Sequence, residues 1–474
     1  MKRALLLVYS DTHFVELVRL ARAMKKTREF EPHVIFFASY PMLARDLAVC
    51  QSEHFRHFGA DRRELRDFIP PSTGAASKIR QKLKLLPSPL KDFLNAFRRR
   101  YFQESLLSAP LWKIRIRKDI RKASAWIKMM RFDVVISPED SPSFSTGIWI
   151  RAAHETKVPC AIVPFTVANA LEFAEAYYRV PSHQWNRLGN RIVGTHYPKW
   201  VLEHRGKKLL RLPAGELLAR EWLGLSPKLP WILNSGEIDA IAVESPRMRR
   251  YYVQEGLPDE KLHLTGALYD DTLARYQTEA AENRVHLCAE FGFDPTQRLF
   301  LCALPPNQFA LSGPQTDFAD YPELIMAWVK TLRSVPGINV LFKIHPRHSM
   351  SELSFLSELG AAISNRDTAE LIPLCDVYVA SISATIRWAI ACGKPVLNYD
   401  VYRLRFTDFI EVQGVVTLED HDAFKKKAIE LAGTDGIFEK LRVEQLAVAE
   451  DWGILDGNSA KRILGLLGNL REFS

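Results

Sequence analysis

Two apolar runs of this chain stop abruptly at residues that could hold a phosphate. Asn339-Val340-Leu341-Phe342-Lys343-Ile344-His345-Pro346-Arg347-His348 closes on Lys343, His345 and Arg347, with Pro346 fixing the turn. Asp376-Val377-Tyr378-Val379-Ala380-Ser381-Ile382-Ser383-Ala384-Thr385 closes on Ser381, Ser383 and Thr385. Cations, and hydroxyls at the amino end of a helix predicted over Ala384–Cys392, suit a phosphate group. A third run, Leu299–Leu304, ends at Pro305-Pro306-Asn307-Gln308 and adds Asn307 and Gln308. Such ends in one sheet predict a site for a nucleotide diphosphate or a nucleotide-sugar phosphate. The plain alternatives are that His345 merely ends a strand and that the hydroxyls are helix caps. A cap and a phosphate site use the same helix end, so those readings coexist.

A second set of residues could move protons. Glu139 and Asp140 follow the buried run Asp133–Ser137. A carboxylate at the carboxyl end of a strand is placed for acid–base or nucleophilic work. The alternative is a tight turn bracketed by Pro138 and Pro142. His13, after the first strand and before a helix, is the competing base, or else a loop histidine. Asp420-His421-Asp422 has the look of a metal motif, but it opens a helix ahead of Phe424 and Lys425. Capping is the better account, and no metal is predicted.

The elements that must position these groups alternate. Arg3–Tyr9, Pro32–Ala38, Asp133–Ser137, Pro159–Pro164, Ala240–Glu244 and Lys261–Thr265 read as strands, and helices at Phe14–Met24, Pro41–Val49, Thr146–Thr156 and Pro246–Glu255 separate several of them. Asn169–Ile232 is less regular. A helix Asp271–Phe291 marks the interdomain region. The alternation then resumes with strands Leu299–Leu304, Asn339–Ile344, Ala361–Ser364, Asp376–Ala380 and Pro395–Tyr399, and helices Tyr321–Val335, Asp367–Leu374, Ala384–Cys392 and Asp420–Ala432. Continuous apolar strands between helices predict an α/β chain of two doubly wound parallel sheets, that is, two Rossmann-like domains facing a central cleft. The expected division is an N-terminal domain over 1–275, a C-terminal domain over 290–440 and a helical tail over 441–474. Neither half carries Gly-x-Gly-x-x-Gly or a Walker loop, which removes support for dinucleotide oxidoreductases and P-loop enzymes.

The chain has 474 residues, long for one core, so two domains are the default. Hydrophobic residues make up 47% and charged ones 25%, as in an ordinary soluble enzyme. No apolar run is long enough to span a membrane. The apolar start ends at Asp11 without a small-residue cleavage site and reads as a strand, not a leader. Six scattered cysteines without a Cys-x-x-Cys pair suit buried thiols in a reducing cytoplasm. The net charge of +9 is concentrated in a basic helical excursion over about 75–131, where Arg98, Arg99, Arg100, Lys113, Arg115 and Arg117 alternate with Phe97, Phe102, Trp112 and Trp126. This predicts either a solvated basic face or a surface for anionic lipid or an anionic acceptor, with the protein peripheral on the inner face of the cytoplasmic membrane. No recognised nucleic-acid motif accompanies the charge.

The order of these segments resembles the GT-B glycosyltransferases of bacterial surface polysaccharide synthesis, capsule and lipopolysaccharide among them. Ala369 to Tyr399, with Gly393-Lys394-Pro395-Val396, is similar to the donor-binding unit of that fold. His345-Pro346 resembles the His-Pro motif of the branch using CMP-activated acidic sugars, the sialyltransferases and Kdo transferases. That resemblance implies donor-phosphate contacts for His345, Ser381, Ser383 and Thr385, metal-independent catalysis, and no cofactor beyond the nucleotide sugar, with CMP favoured over UDP or CDP. Glu139-Asp140 lies where those families have an acidic pair followed by Gly, but Ser141 stands in place of the Gly. Asp140 is then the expected base toward the acceptor hydroxyl, or the nucleophile of a retaining reaction. The rival of the same fold is a UDP-sugar 2-epimerase; such enzymes carry glutamates on the donor helix, where this chain has Arg387. An arginine there suits a donor with its own carboxylate, such as a 2-keto sugar acid. A non-catalytic scaffold for membrane assembly of glycan enzymes is the second rival.

Overall fold

The computed structural model describes residues 1–37, 40, 42–59, 105–164, 166–167, 169–309, 316–345, 348 and 353–470. Pro346, Arg347 and the amino part of the basic excursion, including Phe97, Arg98, Arg99, Arg100 and Phe102, lie outside the described residues. The chain divides into two compact units, Met1–Ile241 with Asn469–Ser474, and Ala242–Gly468. The division falls at residue 241, well before the helix Asp271–Phe291 that the sequence marks as interdomain. The reason is local to the second unit, where Asp271 accepts from the backbone N–H groups of Ser459 (2.8 Å) and Ala460 (2.9 Å) and so ties its helix to the helix Ser459–Asn469.

The first unit is built on β1 (Lys2–Val8), β2 (Phe30–Phe36), β3 (Arg56–Phe58), β4 (Val134–Ser137) and β5 (Cys160–Ile162). A hairpin of β6 (Val201–His204) and β7 (Lys207–Leu210) stands apart as an antiparallel pair. The seven-stranded sheet is completed by β8 (Ala240–Val243) and β9 (Leu262–Leu264), in the order β3-β2-β1-β4-β5-β8-β9. The registered pairings of β1 with β2 and β4, and of β4 with β5, are parallel. Ala4 through Val8 are fully buried, as the unbroken apolar run Ala4-Leu5-Leu6-Leu7-Val8 requires of a strand covered on both faces.

The second unit repeats the plan with β10 (Arg298–Ala303), β11 (Ile338–Lys343), β12 (Ala362–Ser364), β13 (Val377–Ala380), β14 (Val396–Tyr399) and β15 (Val415–Leu418), in the order β12-β11-β10-β13-β14-β15. All five of its pairings are parallel. Its core centres on a stack of Trp328, Tyr399 and Phe424, with Tyr399 and Phe424 ring centroids 4.7 Å apart. Numbered along their own sheets, the first six strands of one and all six of the other run 3-2-1-4-5-6. That is the doubly wound order, and its chain reversal lies between strands 1 and 4.

Helix boundaries differ from the sequence expectation where apolar content hides a break. Asp271–Phe291 is two helices, Leu268–Thr278 and Ala280–Phe291, joined at Glu279. Asp367–Leu374 tightens from Thr368–Leu371 into a 3-10 turn Ile372–Leu374, because Pro373 has no N–H to give the ladder. The long basic helix is Ala109–Met130. Its apolar stripe of Ile116, Ile120, Trp126 and Ile127 is buried, and Trp126 meets Trp149 edge-on at 5.7 Å. Trp126 is therefore a core residue, not the membrane-inserting side chain the sequence allows. No helix among the described residues is long and apolar enough to cross a membrane.

Candidate functional site

In the first unit the chain reversal of the sheet brings His13, Glu139 and Asp140 together. The helix Asp11–Thr27 starts directly after β1, and Ser10 caps it by accepting from the His13 N–H at 3.4 Å. This cap sets His13 in the first turn. The Tyr9 N–H then donates to His13 Nδ1 at 3.4 Å, which leaves the ring proton on Nε2. Nε2 lies 3.8 Å from Glu139 Oε1. After β4, Pro138 and a bond from Ser137 Oγ to the Glu139 carbonyl at 2.6 Å pin the turn that carries Glu139.

Both members of this pair are almost wholly inaccessible, at 1% for His13 and 3% for Glu139. Burial disfavours charge on each and drives them in opposite directions. It lowers the His13 imidazole to about 3 and, assisted by the negative charges of Glu172 and Asp140 against the pull of Arg211, raises the Glu139 carboxyl to about 8. A neutral imidazole beside a carboxyl that gives up its proton near neutrality is a pair tuned for proton transfer.

Asp140 has a different task. Its Oδ1 accepts from the Asn234 N–H at 2.6 Å and its Oδ2 from the Gly236 N–H at 2.5 Å. A Cβ on Gly236 would fall 2.5 Å from Oδ2, so only glycine admits the clamp. Burial lifts the Asp140 carboxyl to about 6, opposed by those two N–H bonds. Asp140 and Gly236 also line a cavity of about 270 Å³, together with Arg151, His154, Arg220 and Glu237. The sequence puts Asp140 first as base; in the structure its two oxygens are tied to the 234–236 loop, and Glu139 is the carboxyl that faces His13 Nε2. Asp140→Ala leaves the buried Asn234 N–H and the partly buried Gly236 N–H unpaired, at about 1–3 kcal/mol for the first and less for the second. Calorimetry should show the first unit melting earlier by several degrees; an unchanged transition would return Asp140 to the list of free bases.

The second unit assembles its set at the equivalent reversal, β10 against β13. Lys343 ends β11, half-buried, and burial lowers its pKa against the pull of Asp367 and Glu370. His345 follows, and its carbonyl accepts from the His348 N–H at 2.9 Å. His348 stacks on Tyr321 at 4.9 Å and its Nε2 accepts from the Asn307 N–H at 3.2 Å. The Gln308 N–H faces Tyr402 Oη at 3.4 Å. The Pro305–Gln308 and His345–His348 segments are thus joined, and His348 belongs with the residues the sequence points to. Across the reversal, Ser383 Oγ and Tyr378 Oη lie 2.7 and 2.5 Å from Thr385 Oγ1. Ile382 holds φ at +42°, a strained value for a β-branched residue, fixed by its N–H on Asn398 Oδ1 at 2.9 Å. Ser381 is buried, while Ser383 and Thr385 are partly exposed at the tip.

Arg387 does not join them. It is fully buried in the helix Ile386–Ala391, and its guanidinium donates to Tyr269 Oη (3.0 Å), Asp270 Oδ1 (2.9 Å) and the Trp452 carbonyl. The helix is buried on every side, so no periodicity in the sequence shows which way Arg387 points. Asp420, expected as a cap, caps: it accepts from the Ala423 N–H at 2.8 Å.

No family model and no curated protein matches the sequence. Solved structures do. A UDP co-structure of S. aureus MnaA aligns with a TM-score of 0.53 at 13% identity, covering 100% of this chain and 98% of that one. A UDP-GlcNAc 2-epimerase from Neisseria meningitidis bound to UDP-GlcNAc aligns at 0.51 and 12%, covering 98% and 100%. The wall teichoic acid polymerase TagF aligns at 0.50 and 10%, covering 99% and 88%. The fold is GT-B. At these identities the likeness is one of architecture, and the GT-B chain reversals are where the residues above collect.

The sequence offers no sign of Arg211, which lies in the irregular stretch before the helix Ala214–Leu223. It is fully buried beside the Glu139 turn, bonded to Ser141 Oγ at 2.8 Å.

Proposed function

We propose that this chain is a nucleotide-sugar enzyme, a glycosyltransferase that moves a sugar from a pyrimidine-nucleotide donor to a glycan or lipid-linked acceptor. One observation carries the reading: each unit gathers its polar, titratable residues at the reversal of a doubly wound sheet, where such sheets bind ligands. The second unit then holds the donor, with Lys343, His345, Ser383 and Thr385 offsetting the charge that builds as the nucleotide phosphate leaves. The first unit supplies Glu139, which first releases its own proton to solvent. As the carboxylate it then takes the proton of the acceptor hydroxyl, while that oxygen bonds to the anomeric carbon and the bond from that carbon to the nucleotide phosphate breaks. His13, neutral, presents its Nε2–H to the Glu139 carboxylate formed before that step. Arg387, which from its residue type suits a donor with its own carboxylate, is occupied by Asp270, so support for an acidic-sugar donor narrows to the His345-Pro346 resemblance. The S. aureus and N. meningitidis structures hold UDP and UDP-GlcNAc, which is the reason to try UDP beside CMP as the donor nucleotide.

The epimerase reading is favoured by the same two structures and opposed by the donor helix, whose Ala384-Thr385-Ile386-Arg387-Trp388 has no carboxylate. Thermal-shift titration with CMP, CDP, UDP and GDP decides the nucleotide, since a ligand of the folded state alone raises Tm with occupancy. We expect UDP or another pyrimidine nucleotide to stabilise the second unit, and His345→Ala to weaken the effect. Indifference to all four would sink the proposal. With UDP-GlcNAc as donor, conversion to its 2-epimer instead of acceptor-dependent UDP release would select the epimerase.

A further inference from the structure

We propose that Arg211, with the hydroxyls of Ser141, Ser143 and Tyr177, forms an oxyanion site in the first unit that takes the carboxylate or phosphate group of the substrate served by Glu139. Only the mention of that substrate rests on the transferase reading; the oxyanion site stands on its own geometry.

Arg211 has no exposed surface. Its Nη1 donates to Ser143 Oγ at 2.7 Å and Tyr177 Oη at 2.9 Å, and its Nη2 to Ser141 Oγ at 2.8 Å. Its Nε is buried with no acceptor among the described residues. Among those residues no carboxylate forms an ion pair with it, although Arg220, nine residues further along the chain, has Glu216 at 2.9 Å. The guanidinium carbon lies 3.8 Å from the Phe173 ring centroid and 5.8 Å from that of Trp231. Ring faces favour a cation but do not neutralise it. A buried charge whose counter-charge is missing is costly, so a cation kept in this state implies an anion that arrives from elsewhere. Glu139 does not meet the need at rest, because its own burial keeps it protonated below about pH 8.

The hydrogen count shows where that anion fits. A guanidinium only donates, so each hydroxyl oxygen facing it must accept and send its hydrogen elsewhere. Ser143 Oγ and Tyr177 Oη are 2.6 Å apart, and that bond uses one of their two hydrogens. The other remains to be donated. Ser141 Oγ already accepts a second time, from the Ser143 N–H at 3.3 Å, and its hydrogen also remains. Two hydroxyl donors, polarised by one buried cation, are thus left over in a cluster that grades from buried Arg211 and Ser141 to exposed Ser143. Donors of this kind are matched by an oxyanion. Ser141 is two residues from Glu139, so a substrate held here by its anionic group is anchored beside the proton-transfer pair.

The test uses the full chain, titrated with inorganic phosphate and with glucuronate, followed by calorimetric titration and by Tm. We expect at least one probe to bind saturably. The double variant Ser143→Ala/Tyr177→Phe, conservative at the mouth of the cluster, should weaken that binding by about tenfold or more. Arg211→Met should abolish it and, without any anion, should melt no lower than the parent, because the unpaired charge is gone. Failure of both probes to bind overturns the site. So does binding that survives both variants and disappears in His345→Ala, which would place the anion at the donor set. Lower Tm in Arg211→Met together with unchanged binding in the double variant would make the arginine a packing strut. UDP titrated into the same proteins keeps the two proposals apart: oxyanion binding without nucleotide binding sinks the transferase, and the reverse sinks only this site.

Discussion

Glu139→Gln keeps nucleotide binding and lowers turnover by roughly 10²–10⁴-fold, the range lost when a positioned general base or acid is removed. The substitution keeps shape and removes the proton that Glu139 exchanges beside His13 Nε2, 3.8 Å away. The same variant carries a stability signature. Between its ordinary value of 4.5 and about 8 the unfolded chain has released the Glu139 proton and the folded chain still holds it. Stability therefore falls as pH rises through that window. His13 acts in the opposite sense between about 3 and 6.5, where the unfolded chain holds a proton the folded one excludes, so its share of stability grows with pH. Replacing Glu139 removes only the first effect. The stability advantage of Glu139→Gln over the parent, read as a higher Tm, should be small at pH 5 and grow toward pH 8, on the order of a few kcal/mol at full effect. Parallel Tm profiles would mean the carboxyl is ionised in the folded protein, and unchanged turnover would move the base elsewhere.

Arg387→Ala is the largest stability loss expected of a single substitution here. The pair with Asp270 has no exposed side-chain surface on either partner. Asp270 also accepts from the Ala267 N–H at 3.0 Å and the Ile454 N–H at 3.4 Å, so one carboxylate gathers three segments of the second unit. Burial pulls the Arg387 pKa down, but Asp270, Tyr269 and Glu244 outweigh it and hold it above the ordinary value. Stranding one member of a buried pair costs about 3–5 kcal/mol. For a unit of this size that is roughly 10 °C in the calorimetric transition of the second unit, with the first unit unmoved. The double replacement Arg387→Met/Asp270→Leu should recover most of the loss. A small effect of Arg387→Ala alone would show the guanidinium to be dispensable and reopen it to a ligand.

The strands were the legible part of this fold, and the reason is physical. A parallel strand covered on both faces is an uninterrupted apolar run, and Ala4–Val8, Leu299–Cys302 and Val377–Ala380 announce themselves that way. The polar endings of these runs and of Val134–Ser137 and Ile338–Lys343 point to His13, Glu139, His345 and Ser381–Thr385 without any knowledge of strand order. The order 3-2-1-4-5-6 was not legible, since pairing is a long-range choice that leaves no local mark. The break at Glu279 was hidden because neither Gly nor Pro marks it. The ties of Asp140 and Arg387 left no mark in the sequence for one shared reason: residue type suggests a chemistry, while the partners that bind it, Gly236 and Asp270, lie far away along the chain. Arg211 escaped because a lone arginine in an irregular segment looks like any surface cation until its burial is known.

The register of β1 has a consequence for how the chain is made. Its one neighbour, β2, is nearby, but the other, β4, pairs Leu6 with Ile136, and the Arg3 N–H finds its acceptor on Asp133, 130 residues along. In the second unit the corresponding closure, β10 on β13, spans 77 residues, from the Leu299 N–H to Asp376. At ribosomal rates of about 5–20 residues per second, the open edge of β1 waits on the order of ten seconds or more for its partner. During that interval an apolar strand with a free row of amides is exposed to other nascent chains, and the delay grows with every residue inserted ahead of β4. Recovery of soluble protein should thus depend on translation speed and chaperone supply far more for the first sheet than for the second.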